Sequence, residues 1–279
     1  MLRFAPRSLL ALLPLMAACA QTDVIAREHA STANPPDAGS DAATDAAGSC
    51  PAAPCPPLPD SAFALCACTE IVATSAIVTP SGTSTGSGDD CACTATTPLD
   101  IAALVASHAN ASDNDNLSAA LDPTFFDGFD VTPSDPAVEL GCGRYYLPSF
   151  HGRGPLRLHI TGHALLYVDS DLALDDDFSV TLAPGAALDL FLTGNLRASG
   201  RFDLGRADAA PRANLYVAGN GTIDIAGGAQ IAGLLYAPSA ELVTRGTLAT
   251  AGPVLVRRAA PLGPVTLSYE AGSVLARCQ

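Results

Sequence analysis

The chain has 279 residues, of which 48% are hydrophobic and 15% charged, and its net charge is −14. That apolar fraction can fill a core, so the chain as a whole is not a disordered polymer. All 14 basic residues are Arg, aromatics make up 5% and Trp is absent. A nucleic-acid partner is excluded on this balance, because binding a polyanion needs clustered positive charge. Many base- and sugar-binding sites also use aromatic stacking platforms, and the chain has few rings to build them.

Residues 1–18 carry the marks of an export signal. Arg3 and Arg7 form a positive start, and 9–16 is an apolar stretch too short to span a bilayer. The run Leu15-Met16-Ala17-Ala18-Cys19 resembles the lipobox of bacterial lipoproteins. What that resemblance implies is cleavage before Cys19 and a fatty-acylated sulfur, with palmitate among the chains, which would anchor the protein at a membrane. An ordinary signal peptide cleaved after Ala18 or Ala20 is the alternative. Ala20, where Asp would favour inner-membrane retention, points to the outer membrane of the cell envelope. Residues 19–49 are built from Ala, Asp, Ser, Thr and Pro. They have little to bury, so they read as a solvated, disordered tether.

Residues 50–140 form a Cys-rich segment. Beyond Cys19 there are eight cysteines: Cys50, Cys55, Cys66, Cys68, Cys91, Cys93, Cys142 and Cys278. An even count behind an export signal reads as disulfides. A zinc site is the competing reading, but Cys-Ala-Cys spacing is tighter than paired zinc ligands usually show. Thiol exchange at these pairs lacks a neighbouring cation to lower a thiol pKa. A helix is expected after Cys93, with Thr97 as N-cap, Pro98 at the first helical position and Asp100 facing the dipole. Ile101, Leu104 and Val105 mark its apolar face. Residues 117–121 can add a short second turn, and Phe125, Phe126 and Phe129 read as packing residues. Asp113, Asp115 and Asn116 lack the Gly and late Glu of an EF-hand and read as a surface turn.

From Gly141 to 279 the pattern changes to short strands. Leu156, Leu158 and Ile160 alternate with Arg157 and His159; Phe178, Val180 and Leu182 alternate with Ser179 and Thr181. Period two with one apolar side is a half-buried β-strand. A longer repeat joins ALLYV, LDLFL, NLYV, LLYA and VLVR, with reference positions Tyr167, Phe191, Tyr216, Tyr236 and Val256 at intervals of 24, 25, 20 and 20 residues. Units too small to bury their own apolar face must stack. The expected fold is therefore mainly β, a β-solenoid of about five rungs spaced ~4.8 Å apart. A β-sandwich with hairpins at Gly194-Asn195 and Gly219-Asn220-Gly221 is the alternative.

The runs CGRYYLPSF at 142–150, PGAALDLFLTGNL at 184–196, ANLYVAGNGTI at 213–223 and GLLYAPSAEL at 233–242 resemble a bacterial domain family of unknown function. The resemblance covers roughly residues 142–278. It implies kinship with exported lipoproteins, PilX-type pilus-assembly proteins and other surface proteins, and a strand pattern similar to polymer-forming β-solenoids. Tyr269-Glu270 stands where family members commonly carry a Tyr-Asp pair. No catalytic residue comes with the resemblance.

The only suggestive polar cluster is acidic. Asp169 and Asp171 fall at one corner, and Asp175, Asp176 and Asp177 at the next. Calcium at Asp169, Asp171, Asp175 and Asp177, or a carboxylate pair for glycoside chemistry, is conceivable, but Asp is also a common turn residue that bonds its own backbone. His159 and His163 straddle Gly162 and read as surface histidines. Nucleophile-elbow, zincin, phosphate-loop and dinucleotide motifs are absent from the sequence, so no cofactor is expected. The leading expectation is a non-enzymatic envelope lipoprotein, held to a membrane by its N-terminus and meeting an envelope protein or glycan. A polysaccharide lyase or glycosidase with an Asp-lined groove is the alternative. Two carboxylates and an Arg in one groove would favour that enzyme; corners facing solvent would favour the scaffold.

Overall fold

The computed structural model describes residues 63–79, 84–91, 99–129, 137–206 and 212–268, with Cys50, Cys93, Thr132 and Asp135. The chain divides into residues 1–47 and 48–279, and the described residues belong to the second unit. The export signal expected at 1–18, Cys19, the tether expected to residue 49, Cys55, Thr97, Pro98, Tyr269-Glu270 and Cys278 lie outside them.

In chain order the elements are β1 (Phe63–Ala67), β2 (Ile77–Val78), β3 (Ser84–Ser87), a 3-10 turn (Gly88–Cys91), α1 (Ile101–Ala106), β4 (Asp127–Phe129) and β5 (Val138–Leu140). Rungs of three strands follow: β6 (Gly143–Leu147), β7 (Phe150–Gly152) and β8 (Leu156–Ile160); β9 (His163–Val168), β10 (Leu172–Leu174) and β11 (Phe178–Leu182); β12 (Ala187–Leu192), β13 (Leu196–Ala198) and β14 (Phe202–Leu204); β15 (Ala213–Val217), β16 (Thr222–Ile225) and β17 (Ala229–Ile231). In the last rungs the first two strands merge, giving β18 (Leu235–Thr244) with β19 (Leu248–Thr250), then β20 (Val254–Ala259) with β21 (Val265–Leu267).

Each strand pairs in parallel with its counterpart one rung on, so the chain forms a parallel β-solenoid of about 8 turns with three walls. The first wall runs β6-β9-β12-β15-β18-β20 and the second β4-β7-β10-β13-β16-β18. The third runs β5-β8-β11-β14-β17-β19-β21. Pairings among the described strands are parallel, including those beside Gly194-Asn195 and Gly219-Asn220-Gly221, which rules out the hairpins of a sandwich.

In-register stacking explains the repeat. Tyr167, Phe191, Tyr216 and Tyr236 occupy one column, as the spacing predicts. The next member is Leu255 rather than Val256, because Tyr236 pairs with Leu255. Inward-facing side chains form dry columns, for example Leu166, Leu190, Leu215, Leu235 and Val254, each at most 1% exposed. Each such leucine contributes about 1.5–3 kcal/mol through burial. Phe150, Phe178 and Phe202 pack inside the same core, Phe150 edge-on to Phe178 at 5.9 Å and Phe178 stacked on Phe202 at 5.4 Å. Glycines allow the corners to stack. A Cβ on Gly263 would lie 2.1 Å from the Gly246 carbonyl oxygen, and one on Gly227 2.4 Å from the Gly200 carbonyl carbon.

The stack is longer than five copies because both ends recruit other segments. Strands β4 and β5 pair with β7 and β8 at one end. At the other end, β1 pairs with β20, β2 with β21, and β3 with β1. The Cys-rich segment therefore supplies the rungs beyond β20 and β21. Between the two ends, α1 packs on the outside of the first wall, and we call the segment from α1 to β5 the return segment, or strap.

Candidate functional site

The return segment seals the first wall. Its outward column is Tyr146, Tyr167, Phe191, Tyr216, Tyr236 and Leu255, ending on Cys66 of β1. Phe191 lies between Tyr167 and Tyr216, with centroids at 5.1 and 4.4 Å and planes within 22°. Ile101 and Val105 of α1 pack onto this ladder, and the His108 ring stacks on Tyr167 at 4.2 Å. The N-cap of α1 is Asp100, whose Oδ1 accepts from Ala103 N–H at 2.9 Å. The sequence pattern gave that role to Thr97. The N-cap instead falls at Asp100, whose carboxylate reaches an orphan N–H of the first turn. Leu99 N–H donates to the Tyr236 hydroxyl at 3.2 Å. Burial pushes the Tyr167 phenol up to about 12. Tyr146 is also raised to about 12, first by burial and then by its hydrogen bond to Asp169.

Beneath the strap lies a polar knot. Asp189 is 3% exposed. His163 Nε2 donates to its Oδ2 at 2.6 Å, and Asn214 Nδ2 and the Tyr216 hydroxyl donate to its Oδ1 at 2.7 and 3.3 Å. Asn214 Oδ1 in turn accepts from Leu234 N–H. His163 is thus a partner of a buried acid and is about one quarter exposed, not a surface histidine. Single-sequence reading missed this knot because its members are 25 and 26 residues apart. The repeat did carry a signal: Asp189 pairs with Asn214 in the same rung register that aligns the aromatics.

Disulfides fasten both ends. Cys66–Cys91 and Cys68–Cys93 join β1 to the stretch preceding the return segment, each spanning 25 residues. Cys50 bonds Cys142 directly before β6. The solenoid's free edge beside β6 is covered by Asp115 and Asn116: Asp115 Oδ2 accepts from Arg144 N–H, while Asn116 Oδ1 accepts from Tyr146 N–H and its Nδ2 donates to the Tyr146 carbonyl. These residues therefore pair a strand edge rather than form only a surface turn. The short second turn expected at 117–121 appears as turns over residues 116–120.

Among the described residues, none covers the second wall in this way. Its outward side chains form two columns: Asp171, Asn195, Thr222 and Glu241, and Ala173, Arg197, Asp224 and Val243. Asp171, Asn195, Arg197, Thr222 and Asp224 line an open groove of about 430 Å3. The notch arises where small Ala173 precedes Arg197 in its column. Asp171 Oδ1 accepts from Asn195 N–H at 2.6 Å, and Asn195 Oδ1 accepts from Gly221 N–H at 2.9 Å, so each corner braces the next. Asp224 Oδ1 pairs with Arg245 at 2.6 Å. Arg197 is exposed and bonds no described residue.

The other sequence-predicted carboxylates are spread out. Asp169 accepts from Tyr146, Asp177 accepts from Arg201 N–H at 2.7 Å, and Asp175 lies 3.6 Å from His151 Nε2. Among the described residues, no three His, Cys, Asp or Glu side chains gather to hold a metal ion.

Residues 83–271 match the family described as a domain of unknown function, DUF7305. The match takes in the return segment as well as the solenoid rungs that follow it. No curated protein and no solved structure matches the chain.

Proposed function

The chain belongs to the DUF7305 family, and on that premise we propose that it is a non-enzymatic scaffold of the cell envelope. Lipid on Cys19 holds it to the outer membrane, and the solenoid is displayed for adhesion, envelope structure or assembly with pilus-like machinery. The observation that carries this reading is the use made of the corner carboxylates. Asp171 and Asp177 each accept a backbone N–H from the following rung, and Asp224 binds Arg245. These groups brace a stack, as turn aspartates do. The Cys50–Cys142 bond ties the start of the Cys-rich segment to the residue directly before β6, a covalent brace of the kind a displayed scaffold would use.

A second reading rests on the groove, which brings Asp171, Asp224 and Arg197 together. That set would suit a polysaccharide lyase or glycosidase. Two carboxylates and an Arg in one groove is the arrangement expected of that enzyme; it ranks second because Asp171 and Asp224 each spend one oxygen bracing the next rung, a use the scaffold reading accounts for. Labelling cells with palmitate tests the anchor: label should be lost in Cys19→Ser, and the variant should leave the membrane fraction. Unchanged labelling sinks the anchored reading. Release of reducing ends from envelope polysaccharide by the purified protein would favour the enzyme.

A further inference from the structure

We propose that the groove on the second wall is a binding site for a neutral polysaccharide strand. This deepens the display reading above and rests on it.

The argument starts from charge. The two carboxylates at the groove, Asp171 and Asp224, are matched by two guanidiniums, Arg197 and Arg245. Although the whole chain carries −14, this spot is locally balanced and selects for neither an anion nor a cation. What it offers instead is a mixture of donors and acceptors. Arg197 presents a planar fork of N–H donors with no partner among the described residues. Thr222 adds a hydroxyl, and Asp171 and Asp224 each engage protein through Oδ1, leaving Oδ2 as an acceptor. A guanidinium beside a carboxylate can bind adjacent hydroxyls, one donating to a hydroxyl oxygen and the other accepting its proton. Adjacent hydroxyls are what a sugar ring supplies.

Geometry agrees with the chemistry. The groove of about 430 Å3 falls within the size of small-ligand clefts. Its polar groups repeat at the rung spacing of ~4.8 Å, close to the length of one pyranose along a chain. No aromatic ring lines it, so recognition rests on hydrogen bonds and each contact is weak, with dissociation constants of about a millimolar. Many displayed copies engaging one long strand would raise that by avidity.

The test uses the purified chain with malto-, cello- and laminari-hexaose as neutral probes and an oligogalacturonate hexamer as the anionic control, read by NMR titration or calorimetry. At least one neutral hexaose should saturate. Arg197→Leu should weaken it about tenfold, the loss of one charge-assisted hydrogen bond. Ala173→Arg, which fills the notch, should remove binding. Both variants should keep the wild-type thermal midpoint, since both positions face outward. Failure of all three neutral probes, binding only of oligogalacturonate, or binding that survives both substitutions overturns the proposal. Palmitate labelling and membrane retention report on display independently: a retained protein that binds no hexaose refutes the site alone, whereas a protein that binds sugar but is not membrane-associated refutes the display reading.

Discussion

The first and second walls are cut from the same rungs and differ in what their outward columns carry. On the first wall the outward column is Tyr, Tyr, Phe, Tyr, Tyr and Leu, and a strap of chain covers it. On the second it is Asp, Asn, Thr and Glu beside Ala, Arg and Asp, and it faces solvent. A sheet with an apolar outer face must find cover, whereas one whose outer face is polar can stay bare. The first wall's outer column is thus largely buried, while the second wall's outer columns stay exposed or half-buried among the described residues.

This contrast can be broken by substitution. The largest effect belongs to the sealed wall. Phe191→Ala removes a fully buried ring from between Tyr167 and Tyr216 and should cost about 3–5 kcal/mol in guanidinium unfolding. A loss below about 1 kcal/mol would mean that the strap does not bury the ladder.

The rivets come next. Cys66–Cys91 and Cys68–Cys93 close almost the same 25-residue loop. The first to form restricts the unfolded chain by about 3 kcal/mol, and the second adds little. Replacing one pair with serines should therefore shift the unfolding midpoint only slightly, while replacing both should release the full amount. Additive losses would show that each bond does separate work in the native state.

A pH experiment isolates the ladder. Burial raises the Tyr167 phenol to about 12, above the ordinary value of 10.0. The folded chain then holds its proton more tightly than the unfolded chain. The stability tied to that proton is complete below pH 10 and is lost as pH rises toward 12. Phenolate absorbance should show Tyr167 titrating late and together with unfolding, and Tyr167→Phe should flatten the alkaline limb of the stability profile. Titration of every tyrosine near 10 in the folded protein would contradict the seal. The smallest effect sits on the open wall, where Arg197→Ala should change stability by no more than about 0.5 kcal/mol.

Much of the solenoid was legible because parallel, in-register stacking writes itself into sequence as a repeat. Tyr167, Phe191, Tyr216 and Tyr236 aligned before any coordinates, and the alternation of Phe178, Val180 and Leu182 marked the third wall. The one-residue misplacement at Val256 follows from the weak identity of that copy, where Val254, Leu255 and Val256 are chemically alike. The outer rungs were not legible. Strand β1 pairs with β20 across 189 residues at Leu65 and Val254, and a contact of that separation leaves no local period. The strap was half legible: Ile101 and Val105 marked an apolar face, but nothing in the sequence said what it covers. The groove had the weakest signal. Asp171 was singled out as a turn acid, while Arg197, Thr222 and Asp224 converge only because rungs stack.

The most direct measurement is labelling of intact cells with a membrane-impermeant maleimide. Arg197→Cys on the open wall should label on intact cells, above the background of the unsubstituted parent. Tyr216→Cys under the strap should label only after denaturation. Equal labelling at both positions, or labelling of Arg197→Cys only after lysis, would contradict a sealed and an open wall displayed at the cell surface.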